Sequence, residues 1–262
     1  MRKWARPRGS KRKRPSASIL QPIQLFGLIC VFALVRIALS FRRIPAGESK
    51  TSSNAVAREY LDAFIVAGLV ALFLITFVVR TFYIPSGSME PTLQVHDVLL
   101  VNEFEYRFHP PQHDDIIVFQ PPVDSGGTDF IKRLIGVPGD TLAVHHGTVI
   151  RDGVALKEPY IKDRPAYEMV VKNYDIYVDG TPLDPQSANI PPRSMWKAPD
   201  RIPPGFYFMM GDNRNNSDDS HYWGFAQTSG TFVAGLMKGH KARFTGHAFV
   251  LFWPLNRARI LQ

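Results

Sequence analysis

Asp129-Phe130-Ile131-Lys132-Arg133-Leu134-Ile135-Gly136-Val137-Pro138-Gly139-Asp140 reads as a strand closed by a turn. Its apolar run is too short for a helix, and Gly, Pro and Gly end it. On a strand, Phe130 and Lys132 share one face while Ile131 and Arg133 take the other. Outward in both directions the pattern repeats. Val98–Val101, Ile116–Phe119, Thr141–Val144, Thr148–Ile150, Tyr174–Val178, Phe206–Met210 and Ala248–Trp253 are short β-type runs separated by turn residues. Asp152-Gly153 and Asp179-Gly180 fall between such runs and fit two-residue hairpin turns. No amphipathic helical stretch of useful length interrupts them. Residues 81–262 are therefore expected to be mostly β. The expected form is an antiparallel, barrel-like sheet with a smaller β-rich insertion at about 145–204.

The text upstream is of another kind. Residues 1–14 hold Arg2, Lys3, Arg6, Arg8, Lys11, Arg12, Lys13 and Arg14 and no acid, which accounts for the whole net charge of +8. The remainder is neutral, so a basic nucleic-acid-binding face is not indicated. The single cysteine, Cys30, excludes an intrachain disulfide and Cys-based zinc sites. Ala63–Val79 carries no charge between Asp62 and Arg80. It is apolar all round, which favours a membrane-crossing helix at 61–80 over a buried helix of a soluble protein. An earlier apolar segment within 19–41 is interrupted by Arg36. Basic residues flank it on both sides. The expected topology keeps 1–60 cytoplasmic, with 19–41 interfacial or re-entrant, 61–80 crossing once and 81–262 outside. A version with two crossings stays open.

Directly after the apolar segment stands Ile84-Pro85-Ser86-Gly87-Ser88-Met89-Glu90-Pro91-Thr92-Leu93, whose ordinary reading is a turn. A serine there becomes a nucleophile only with a base beside it. The eight histidines show neither a relation to Ser88 nor a metal-binding spacing, and no metal or cofactor is expected. Val123-Asp124-Ser125-Gly126-Gly127 echoes trypsin-like proteases without their histidine motif. Ser194-Met195-Trp196-Lys197 matches Ser-x-x-Lys enzymes without their companion motifs. Lys132 is the better base. Flanking apolar residues can desolvate it, and lowering its pKa from about 10.4 to about 8 costs roughly 3 kcal/mol. The competing reading is an exposed lysine on a strand. A third segment, Phe208 to Gly224, runs from an apolar strand into the polar loop Asp212-Asn213-Arg214-Asn215-Asn216-Ser217-Asp218-Asp219-Ser220. A calcium loop fails there, because Arg214 takes its third position and Ser217 the place of its glycine.

Together these three segments resemble the type I signal peptidases. That family carries a Pro-Ser-Gly-Ser-Met box, a Lys-Arg strand followed by Gly-x-Pro-Gly-Asp, and a Gly-Asp-Asn-Arg-x-x-Ser-x-Asp-Ser box. The likeness spans about 82–223 in the same order. It implies a membrane-bound serine endopeptidase that removes signal peptides from exported preproteins after small residues, through an acyl-enzyme. Ser88 would be the nucleophile and Lys132 the general base. Ser86 would complete an oxyanion hole with the Ser88 N–H, and Ser217 would orient the Lys132 amine. Asp212 and Asp219 would support the loop, with Arg214 pairing one of them. Phe82, Ile84, Met89, Leu93, Val118, Phe130 and Ile131 would line shallow substrate pockets. Implied partners are preproteins and the lipid bilayer. The implied place is a bacterial plasma membrane with the catalytic part outside. The chain departs from the family at Asn215 and at His221, where an arginine is usual, which makes support of Asp219 depend on a protonated imidazole. Two rival readings, a self-cleaving repressor and an inactive membrane-tethered binding protein, lack respectively a DNA-binding helix pair and a reason for intact Ser88, Lys132 and Ser217.

Overall fold

The computed structural model describes residues 27, 29–35, 37, 53–77, 79–191, 198–227 and 243–261. The basic tail at 1–14 and the Ser194–Lys197 motif lie outside them. The chain divides into two compact units, Met1–Thr76 and Phe77–Gln262.

The first unit holds helix α1, Ser53–Phe77, and helical residues at 29–35. Phe32 and Phe64 place their ring centroids 5.9 Å apart. A Cβ on Gly68 would meet Ile29 Cγ1 at 2.9 Å, so the missing side chain lets the two helical segments close up. Around this contact Val31, Leu34, Phe64, Val66, Leu69 and Val70 stand exposed. The uncharged part of α1, residues 63–77, is about 22 Å long at 1.5 Å per residue, against a hydrocarbon core of about 30 Å. Among the described residues no helix is long and apolar enough to cross a membrane. The expected span through Val79 is shortened because that residue already belongs to a strand.

The second unit is built of antiparallel strands, as the period-two runs require. Its strands are β1 (Val79–Tyr83), β2 (Val98–Asn102), β3 (Ile116–Gln120), β4 (Phe130–Gly136), β5 (Leu142–His145), β6 (Thr148–Arg151) and β7 (Val154–Ala155). They continue with β8 (Met169–Lys172), β9 (Asp175–Val178), β10 (Thr181–Pro182) and β11 (Phe206–Met210). Helix α2 (Ser220–Trp223) precedes β12 (Ala226–Gln227), β13 (Arg243–Trp253) and β14 (Arg259–Ile260). One sheet has the order β1-β2-β13-β3-β4-β11-β12, with β14 beside β13, and the other β10-β9-β8-β5-β6-β7. The first is an open path among the described residues, where a barrel-like sheet was expected. Asp152-Gly153 and Asp179-Gly180 make the β6–β7 and β9–β10 turns.

Alternation explains why the central strands are apolar at every position. In β3, Ile116 and Val118 join one core with Met89, Leu93, Leu99 and Leu251. Ile117 and Phe119 face the opposite way into a second core with Leu134, Met209 and Trp223. Strand β11 repeats this, sending Tyr207 and Met209 into the second core. Phe206, Phe208 and Met210 enter a third, shared with Leu142, Val144, Met169 and Ile176 of the smaller sheet. With both faces covered, β3, β4 and β11 have no freedom to slide. The ladder from β11 reaches Arg133, Leu134 and Gly136 of β4. Among the described residues, Phe130 to Lys132 are unpaired on that side.

Candidate active site

Strand β4 carries Lys132 inward to the Ser86–Met89 turn, and Lys132 Nζ stands 2.8 Å from Ser88 Oγ. The lysine is 4% exposed. Burial lowers its pKa from 10.5 to about 8, against the opposing pull of Asp219, Asp218 and Asp212. The Phe130 ring, 5.3 Å from the amine, also favours the charged form. Loss of water outweighs all of these. A serine hydroxyl in reach of an amine that is largely neutral just above pH 8 is an arrangement suited to proton abstraction.

The turn holding Ser88 is gripped from behind by the loop after β11. Asn213 N–H donates to Ser88 O at 3.1 Å, and Asn213 Nδ2 donates to Gly87 O at 3.0 Å. Gly211 permits that closeness. A Cβ there would lie 2.4 Å from Ser88 O and 2.2 Å from Ser217 Oγ. Ser86 is exposed beside the turn, and Ser88 is half-buried. Ser217 Oγ is buried and, among the described residues, without a hydrogen-bond partner, so the bond to Lys132 that the resemblance implied is not seen among them.

Ion pairs lock the supporting shell. Asp212, fully buried, accepts from Arg133 Nε and Nη2, both at 2.9 Å, and from Thr92 Oγ1 at 2.5 Å. Arg133 also donates to Asp114 O and lies 3.9 Å above the Tyr160 ring. Asp219 caps α2, accepts the Gly211 N–H at 2.9 Å and pairs with His221 Nδ1. His221 in turn stacks on Tyr167 at 4.2 Å. Arg214 pairs with neither aspartate. Both are taken, and it donates instead to Glu158 at 3.0 and 2.5 Å and to Gly211 O at 3.1 Å. Glu158 and Arg133 carried no site role in the sequence reading, although Arg133 directly follows Lys132. Asn213 lay inside a quoted motif without a role.

The residues expected to line substrate pockets divide by burial. Met89 and Leu93 are wholly enclosed, and Ile84 and Val118 nearly so, in the core beneath the turn. Ile131 is 9% exposed, and Phe82 and Phe130 are partly exposed. Phe130 and Ile131 belong to the unpaired stretch of β4, and Phe82 packs against the core that Ile131 joins.

Comparison with known proteins gives the same direction. Residues 57–236 match the family model described as signal peptidase, peptidase S26. A probable signal peptidase I-1 from Synechocystis sp. is 39% identical over 206 residues, covering 76% of this chain and 84% of the relative. A second from the same organism, probable signal peptidase I-2, is 36% identical, covering 75% of this chain and 73% of the relative. A signal peptidase I from Leptolyngbya laminosa is 34% identical, covering 80% and 86%. On matches of that length and identity, the chain belongs to the signal peptidase family S26.

Proposed function

We propose that this chain is a serine endopeptidase of the signal peptidase I kind, with Ser88 as nucleophile and Lys132 as general base. The observation that carries the reading is the 2.8 Å approach of a buried amine to the Ser88 hydroxyl. Neutral Lys132 takes the Ser88 proton as Oγ attacks the scissile carbonyl. The Ser88 N–H and the Ser86 hydroxyl receive the oxyanion. The lysine then gives its proton to the leaving amine and later draws one from water to release the acyl group. The substrate backbone adds as an extended segment along the unpaired edge at Phe130–Lys132. Phe82, Phe130 and Ile131 leave only shallow apolar space there, which suits small side chains next to the cut.

The first unit supplies the membrane anchor in this proposal. Support comes from two adjoining helical segments with Val31, Leu34, Leu69 and Val70 turned outward, a surface that water does not favour and hydrocarbon does. Their contact through Phe32–Phe64 favours both lying in the apolar layer over an anchor of one helix. Cleavage of a preprotein in detergent by wild type and by Lys132→Arg tests the chemistry. Complete loss in the variant is expected, since a guanidinium does not act as a base. Retained turnover would end the proposal.

A further inference from the structure

The smaller sheet carries a donor set that proteolysis does not use. Four of its hairpins turn through two residues with positive φ: His146-Gly147 (48°, 71°), Asp152-Gly153 (51°, 77°), Asn173-Tyr174 (52°, 60°) and Asp179-Gly180 (48°, 77°). Three open with Asn or Asp, which visit this region most readily. The first opens with an imidazole. His146 follows His145, the last residue of β5, and the two ring centroids are 4.0 Å apart. The β5–β8 ladder pairs Val144 with Met169, which brings Glu168 opposite His145. One Glu168 oxygen lies 2.7 Å from His145 Nδ1. The other accepts the His146 N–H at 2.8 Å and lies 3.9 Å from His146 Nδ1. The Glu168 backbone is itself pinned, its N–H donating to Asp179 Oδ1 and its carbonyl accepting from Asp179 N.

We propose that His145, His146 and Glu168 bind a divalent transition metal ion of the zinc class. Two imidazoles and one carboxylate are donors this class takes, and three protein ligands leave a position for water. Their ligand atoms lie within 4.8 Å of one another. Tetrahedral zinc asks for ligand separations of about 3.3 Å, a difference of at most about 1.5 Å that side-chain rotation closes. All three side chains are exposed, so the ion enters directly from solvent. A plain histidine–carboxylate pair accounts for the close contact of His145 with Glu168, while the His146 ring stands at 3.9 Å from the other oxygen. The two rings, 4.0 Å apart, sit close enough for one ion to reach both in the neutral form that ligates. The ion would tie the β5–β6 turn to the start of β8, beside a shallow cavity lined by Ala143, Ile150, Val170 and Tyr177.

Calorimetric titration of zinc chloride into the full, untagged chain near pH 7.5 is expected to show one site per molecule with micromolar affinity. Near pH 5.5 the affinity should fall about tenfold or more, as protons displace the ion. His146→Asn keeps a residue suited to the turn and removes one ligand. It should weaken zinc binding at least tenfold without lowering the metal-free melting temperature or peptide turnover. Glu168→Gln should weaken it likewise. Absence of binding near pH 7.5, or an affinity that neither substitution weakens, would overturn the proposal.

Discussion

Lys132 has lost almost all of its water, and its proton affinity has dropped because of it. Cleavage should therefore rise with pH through about 8 and level off above, as a rate–pH profile on a soluble peptide would show. Stability follows the same proton. Below about pH 8 the amine is charged in both states and the folded one carries the whole burial cost. Between 8 and 10.5 only the unfolded chain stays protonated, so the cost fades with rising pH. Lys132→Met, inactive, should gain about 2–3 kcal/mol in urea unfolding at neutral pH, the gain shrinking toward pH 10. Gly211 is fixed by a different constraint. Gly211→Ala drives a methyl against Ser88 O and Ser217 Oγ, and turnover should fall by about a hundredfold or more while KM changes little. Of these residues Ser88 and Lys132 stood out in the sequence, since motif and chemistry agree on them. The Glu158 partner of Arg214 did not, because a pair separated by 56 positions leaves no local periodicity to read.

Among elements, β4 shows how support and chemistry share one strand. Arg133 neutralises buried Asp212, and removing it strands a carboxylate in the interior. Arg133→Met should cost about 3–5 kcal/mol by denaturant midpoint, with part recovered in Arg133→Met/Asp212→Asn. The strands read from sequence were those with conspicuous apolar runs, from β2 and β3 to β11. Others were hidden for identifiable reasons. Strand β1 follows the apolar helix with no turn residue to mark the change. Strand β8 was not among the runs read, and the run at Tyr174–Val178 begins one residue too early, because Tyr174, a strand-loving residue, occupies the β8–β9 turn at φ 60°. β7, β10, β12 and β14 are two residues each, below any periodicity.

For the whole molecule, the division after Thr76 separates an apolar helical unit from a β unit with its own three cores. A chain starting at Phe77 should keep peptide turnover within a few-fold of the full protein. It should also lose flotation with lipid vesicles, and equal flotation of both would remove the anchor from the first unit. Among the described residues the larger sheet is an open path, because strand runs announce pairing but not closure. Nor did the sequence reading foresee the helix ending at Phe77, since apolar residues serve α1 and β1 equally well. The neighbouring placement of Lys132 and Arg133 has one more consequence. Displacing β4 by a single position against β3 would present a permanently charged guanidinium where the amine now meets the serine. The same shift would turn every β4 side chain to the wrong face and take Arg133 from Asp212, so the packing on both faces of that sheet guards reactivity and shape together.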